Sequence, residues 1–398
     1  MNAGRLPKLP YEARVFREPG DGFTDLRNTS VLLYWPHGFG DWVFLSYMLP
    51  LLEPSNRYFV SRHGDHNISA FEGCALAAPL YCGENNTRKG DRDADGVPHF
   101  GLRTAGGGRR TLELPPALHD GCVRHGIEAF VDLGFWEARG NSPFPYHTKA
   151  RMALKTYVAP ARLRAIEQGV LTQPLRSCLH FAAPPAVEQL IETRLRSLLD
   201  IGRRKLCIII RNGYTQTEKN WGHLWREDMP EGRRREGEEC RDFIRLLHRK
   251  DPSWVVLVVE DQMFTGDDTV RDPALNCFSY AEIFGPAAGA ALPFGWVAKA
   301  LVRLASLVVG VPAGLFHLAV AYPAVPVVGV WTAFLPSWWD EPRSGYRNVA
   351  GRFSREQGWH ELPGSFAECG GLHFAIEHLN SRIIPGEAVF AAVEKLLF

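Results

Sequence analysis

Neither sign of charge is in excess: 45 Lys and Arg stand against 44 Asp and Glu, for a net charge of +1 over 398 residues. That balance argues against a broad nucleic-acid surface, while leaving room for a local basic cleft sized for a small anion. The eight cysteines, at 74, 82, 122, 178, 207, 240, 277 and 369, include no Cys-x-x-Cys pair. Neither a structural zinc site nor an iron–sulfur site is therefore indicated. Cys207, inside the apolar run Leu206–Ile210, reads as a reduced core thiol. Met1 to Pro10 has no apolar core of a signal peptide, and no apolar stretch reaches the roughly 18–20 residues of a membrane span. The expectation is a protein of the reducing cytoplasm, without a transmembrane segment, for which peripheral membrane contact stays open. Any internal repeat beyond two α/β halves is also missing.

What is present is globular in kind, with 45% hydrophobic and 22% charged residues. The length calls for two domains of roughly 150–200 residues each. Val31–Trp35 is a short apolar run that stops at Pro36-His37-Gly38-Phe39-Gly40. After Asp41, apolar positions recur at helical spacing through Val43, Phe44, Tyr47, Met48 and Leu51. A buried strand, a glycine-rich turn and a helix open a parallel α/β sheet in this way. Tyr58–Val60 and Ala129–Leu133 read as further strands, residues 84–112 as a long polar surface loop, and Cys178–Phe181 as the last strand of this half. Pro185–Leu199 reads as a helix. The second half alternates strand and helix: Lys205–Arg211, Cys240–Arg249, Trp254–Val259, Trp296–Leu304, Ser306–Val311, Gly314–Ala321 and Val325–Trp331. Glu387–Leu397 closes the chain as an amphipathic helix. The fold class is thus α/β, with two Rossmann-like doubly wound domains. Residues 1–183 form an N-terminal domain, 184–385 a C-terminal domain, and 386–398 a closing helix.

Three constellations carry candidate chemistry. At the first strand–helix turn, His37, Gly40 and Asp41 stand together; Asp41 is read either as an N-cap or as a general base. The second, Arg211 to Trp221, places Arg211, Thr215, Thr217 and Lys219 in a hydroxyl-rich loop directly after a strand. It suits a pyrophosphate, or it is an ordinary solvated loop. In the third, Gly314 opens a helix whose amides and positive dipole end suit phosphate oxygens. His317, one turn in, is either a donor to the same group or a core histidine. Late aromatics, Trp331, Phe334, Trp338, Trp339, Tyr346 and Trp359, are read as ring-stacking or core-filling.

Taken in order and at these separations, the three pieces resemble the heptosyltransferase-like family 9 of glycosyltransferases, which transfer ADP-heptose onto lipopolysaccharide core. The resemblance rests on Gly40-Asp41 with Pro50 one helix later, and on Thr215, Thr217, Lys219 and Trp221. It rests also on Gly314-Leu315-Phe316-His317-Leu318-Ala319, followed by the proline-led strand from Pro326. It covers about residues 30–60 and 200–335. The family's Asp and hydroxyl residue before Gly314 are here Pro312 and Ala313.

The resemblance implies a GT-B fold, two domains facing each other across a cleft, and sugar transfer with inversion and without a metal. A nucleotide-diphosphate sugar, ADP-heptose-like, would be the donor substrate, and no cofactor is implied. Carried over by position, Asp41 would be the base, with His37 and Gly40 on the acceptor side. Lys219 would be a phosphate-binding cation assisting catalysis. Arg211, Thr215, Thr217, Gly314 and His317 would hold the donor phosphates, and Glu260 the nucleoside. The N-terminal domain would bind the acceptor and the C-terminal domain the donor. The acceptor is left open among saccharide, lipid-linked, small-molecule and protein hydroxyls, and no nucleic acid is expected. Two alternatives remain at this point, a nucleotide-sugar epimerase and a non-catalytic nucleotide-sugar-binding protein.

Overall fold

The computed structural model describes residues 9–16, 22–34, 39–61, 68–81, 103–105, 111–114, 116–132, 177–199, 204–211, 229–260, 270–284, 292–311, 313–331, 346–354, 358–361 and 384–397. The chain divides into two compact units, Met1–His180 with Pro293–Gly295, and Phe181–Leu292 with Trp296–Phe398.

The first unit is built on strands β1 (Arg14–Phe16), β2 (Ser30–Tyr34), β3 (Arg57–Ser61), β4 (Ala77–Pro79) and β7 (Ala129–Asp132), in the order β1-β7-β2-β3-β4. Every pair is parallel, with Val31 opposite both Tyr58 and Ala129. Val31, Leu32, Leu33 and Tyr34 are all buried. A strand covered on both faces is an unbroken apolar run rather than an alternating one, and this is why it was legible. Helix α1 (Phe39–Met48) follows β2, and α2 (Pro116–His125) precedes β7. Leu118 and Cys122 of α2 pack with Leu32, Tyr34, Phe59 and Phe130 of the sheet. Two short strands, β5 (Arg103–Ala105) and β6 (Thr111–Glu113), pair antiparallel where a loop was expected over 84–112.

A second expectation also fails. Cys178–Phe181 joins no strand. Its backbone is engaged elsewhere: the Cys178 amide donates to the Ser46 carbonyl of α1 at 3.1 Å, and the Leu179 amide donates to Ser177 Oγ at 3.2 Å. Amides engaged by a helix carbonyl and a hydroxyl are not offered to a ladder.

The second unit begins with α3 (Pro185–Leu199). It continues through β8 (Lys205–Arg211), α4 (Met229–Lys250), β9 (Trp254–Glu260), β10 (Cys277–Ser279), α5 (Tyr280–Phe284) and α6 (Phe294–Leu304). Then come β11 (Leu307–Gly310), α7 (Gly314–Ala321), β12 (Val327–Trp331), β13 (Tyr346–Ser354), β14 (Gly358–Glu361) and α8 (Gly386–Leu397). The sheet order is β10-β9-β8-β11-β12-β13-β14, parallel except for the antiparallel edge pair β13–β14. Counting from the unit's first strand, the six parallel members run 3-2-1-4-5-6, the doubly wound dinucleotide-binding order.

Alternate residues of its central strands, Cys207 and Ile209, Val256 and Val258, Leu307 and Val309, share one cluster with Phe243, Ile244 and Leu247 of α4 and Val389 and Val393 of α8. Each such side chain contributes roughly 1.5–3 kcal/mol on full burial. Cys207 is wholly buried and free, and burial raises its thiol pKa well above the usual range, as a core thiol requires. Helix α8 seats closely on α4. The Gly386 amide donates to Glu239 Oε2 at 2.8 Å, and a Cβ at Gly386 would stand 2.3 Å from the Glu239 carbonyl oxygen. Among the described residues, no helix is long and apolar enough to cross a membrane.

Candidate functional site

In an open parallel sheet, ligands bind beyond the carboxyl ends of the strands where the strand order reverses. In the second unit that point lies between β8 and β11, neighbours in the sheet but separated in sequence by β9 and β10. Strand β8 runs from Lys205 through the buried Leu206–Ile210 and ends on Arg211. Arg211 is 4% exposed. Its backbone is opposite Glu260 at the end of β9, and on the other side the Val311 amide donates to the Ile210 carbonyl at 3.1 Å. A guanidinium buried at a strand's carboxyl end is a fixed positive charge in a poorly screened place.

Strand β11 closes against β8 with Gly310 opposite Ile210. A Cβ on Gly310 would lie 2.6 Å from the Ile210 Cβ, so only glycine allows this approach. Four residues later Gly314 opens α7. The preceding residue, Ala313, is extended (φ −136°, ψ 171°) and supplies no side-chain cap. The first intrahelical bond is donated by the His317 amide to the Ala313 carbonyl at 3.0 Å. The amides of Gly314, Leu315 and Phe316 thus have no acceptor within the helix. Every residue of α7 is buried. A helix start without a side-chain cap and the positive end of a buried helix form an anion-binding feature, and the topology brings it to the same sheet edge as Arg211. His317, in the first turn, is 3% exposed, its ring edge-on to Phe316 at 5.5 Å.

In the first unit, α1 begins at Phe39, so Gly40 is its second residue and Asp41 its third. Asp41 therefore lies inside the helix and not at an N-cap. The start of α1 is rigidly seated: the Phe39 ring meets Phe294 edge-on at 4.7 Å, and Trp42 meets Phe71 at 5.9 Å. The Gly295 amide donates to Ser69 Oγ at 3.1 Å in the same unit.

His37, Thr215, Thr217 and Lys219 lie outside the described residues, as do Pro312, Phe334, Trp338 and Trp339. Glu260 is the last residue of β9, adjacent to Arg211 in register. Trp331 ends β12, Tyr346 begins β13, and Trp359 pairs with Phe353 across β13–β14. Sequence reading missed one buried charge. Lys299 of α6 is fully buried, and its only signal was a cation set inside the apolar run Trp296–Leu301.

The chain matches no protein-family model and no curated protein. Among solved structures it is similar to a glycosyl transferase of family 9 from Veillonella parvula, with a TM-score of 0.52 and 13% identity over 94% of this chain and 98% of that one. It is also similar to the E. coli ADP-heptose lipopolysaccharide heptosyltransferase II, with a TM-score of 0.50 and 14% identity over 93% of this chain and 98% of that one. At such identities the likeness is one of fold, and it extends over nearly the whole length of both chains. The fold of this chain is that of the family 9 glycosyltransferase and of heptosyltransferase II.

Proposed function

We propose that the chain is a glycosyltransferase that moves a sugar from a nucleoside-diphosphate donor to an acceptor hydroxyl, with inversion at the anomeric carbon and without a metal. The single observation that carries the proposal is the switch point of the second unit. There Arg211 is buried at the end of β8, beside a β11–α7 turn whose helix has no side-chain cap. This is the chemistry a diphosphate needs, a fixed cation and several convergent amides. The shared fold with two glycosyltransferases supports the same reading.

In the proposed reaction the acceptor oxygen attacks the anomeric carbon from the face opposite the diphosphate. The bond from that carbon to the phosphate oxygen breaks, and Asp41 takes the acceptor's proton. The departing diphosphate gains negative charge, which Arg211, Lys219 and the α7 amides offset. Thr215, Thr217 and His317 add hydrogen bonds to the phosphates, and Glu260 contacts the nucleoside. His37 and Gly40 shape the acceptor side, and the first unit binds the acceptor. Pro312 and Ala313 replace an acid and a hydroxyl ahead of Gly314, so the donor sugar is expected to differ from heptose. The same replacement favours one second reading, a protein that binds nucleotide sugars without turning them over.

Thermal unfolding in the presence of ADP, GDP, UDP, CDP or dTDP tests the proposal. A diphosphate at 100 times its Kd adds about 2.7 kcal/mol of stability, a readily measured rise in Tm. One diphosphate giving a selective rise is the expected result and names the donor class. No rise with any of the five, from folded protein, would overturn it. Donor binding without sugar transfer to any hydroxyl acceptor would favour the second reading.

A further inference from the structure

Two of the cysteines lie against each other. Cys74 Sγ stands 3.5 Å from Cys178 Sγ and donates to the Cys178 carbonyl at 3.2 Å, although the residues are 104 positions apart. Both are half-buried, whereas Cys122, Cys207 and Cys277 are enclosed in the core. Each sulfur is carried on hydrogen-bonded backbone. On one side the Cys74 amide donates to the Phe71 carbonyl at 2.9 Å. Gly73, at φ +76°, presses so closely on the neighbouring segment that a Cβ would be 3.0 Å from His180 Nδ1. On the other side Cys178 is tied to Ser46 through its amide, and Ser177 Oγ shares a 2.6 Å hydrogen bond with Ser46 Oγ. The two turns hold the sulfurs in van der Waals contact, about 1.5 Å from disulfide bonding distance.

We infer that Cys74 and Cys178 form a reversible redox site that closes to a disulfide with a small-molecule disulfide such as oxidised glutathione. Cys74 attacks one glutathione sulfur, forming a mixed disulfide and releasing one glutathione, which takes up a proton. The Cys178 thiol then loses its proton and attacks the Cys74 sulfur, releasing the second glutathione. The two protein thiols give up two electrons and two protons, and both electrons end on the two glutathiones. The order of attack follows from the environment. The hydrogen bond with Cys74, and then burial, hold the Cys178 thiol pKa far above the usual range, so Cys178 resolves rather than initiates. In a reducing compartment the pair rests as thiols. Oxidation would pin the chain at Cys178, three positions before Phe181, the first residue of the second unit.

The test is to equilibrate the full chain in buffers of falling reduced-to-oxidised glutathione ratio, block remaining thiols by alkylation, and map the peptides by mass spectrometry. A linked peptide pair containing Cys74 and Cys178, lighter by two hydrogens and lost on adding dithiothreitol, is the expected result. Cys178→Ser should instead retain glutathione on Cys74, and Cys74→Ser should show no link. Folded wild-type protein in which both cysteines are alkylated at every ratio would overturn the inference. A link from either cysteine to a different one would overturn it too. The wild-type map decides the matter by itself should either serine variant fail to fold.

Discussion

Gly310 stands across the β8–β11 ladder from Ile210 with no room for a side chain, 2.6 Å from a would-be Cβ to the Ile210 Cβ and 3.1 Å to its carbonyl oxygen. The close approach is made at the carboxyl end of both strands, where the sheet order reverses. Gly310→Ala is therefore expected to push these strand ends apart and to destabilise the fold by about 1–3 kcal/mol. Denaturant unfolding measures this directly. Gly121→Ala is the matched control, since its methyl meets only Leu80, at 3.6 Å. In helix α2 that change should add up to about 1 kcal/mol. Equal effects of the two substitutions would refute the steric account.

Arg211→Met keeps much of the side chain's volume and removes its charge. If the guanidinium holds the donor diphosphate, calorimetric titration should show Kd raised by about 10- to 150-fold, the loss of roughly 1.5–3 kcal/mol expected for a hydrogen bond to a charged group. The salt dependence of binding should also weaken. An unchanged Kd would remove Arg211 from the donor site.

Asp41 and Lys219 should separate in their kinetics. Asp41→Asn leaves donor binding intact and lowers kcat by roughly 10²- to 10⁴-fold, the usual range for a lost general base. Lys219→Ala should lower kcat/KM by the equivalent of about 2–4 kcal/mol, as for the loss of a group that stabilises developing charge. Activity retained in both variants would contradict the proposed transfer mechanism.

The turn before β9 carries an acid-sensitive contact. Asp251 accepts from Lys205 Nζ at 2.8 Å and from the Ser253 amide at 2.9 Å. These contacts, Lys205 first, hold its pKa at about 2 against an ordinary 3.8. A carboxyl whose folded pKa is depressed contributes stability above its unfolded pKa and loses it as pH falls through the folded value. The contribution should thus be complete above about pH 4 and fade towards pH 2. Lys205 is 49% exposed, so solvent screening limits the effect to about 0.5–1 kcal/mol. Unfolding free energies of wild type and Asp251→Asn should differ by that amount at pH 6 and converge near pH 2. A difference independent of pH would show that the carboxylate's charge is not what matters.

How far the sequence revealed the fold depended on whether a segment's partners were local. Helix α7 was read at its observed bounds, Gly314–Ala321, because a glycine opens it and a proline-led strand follows. Strands β8, β9 and β11 were legible for a related reason, since strands covered on both faces read as unbroken apolar runs. Strands β1 and β10 have only three residues each, and their pairing partners are what make them strands. Arg14 pairs with Ala129, a relationship no local pattern encodes.

Within the candidate sites the division is the same. Arg211 and Gly314 were recognisable as cation and helix opener from their neighbours, and Asp41 from the glycine-rich turn ahead of it. That α1 starts at Phe39, placing Asp41 third, depends on where the chain turns out of β2 and on ring packing between Phe39 and Phe294. The deep burial of Arg211, and its place at the β8–β11 reversal, follow from the sheet order. The contact of Cys74 with Cys178 follows from the docking of residues 177–180 on α1 and on the Gly73 turn. Residue chemistry and periodicity thus determined which groups could act and which segments had to be buried. Only the tertiary structure decided which of them meet, because contacts across a hundred residues are fixed by the packing of whole elements and leave no trace in local spacing.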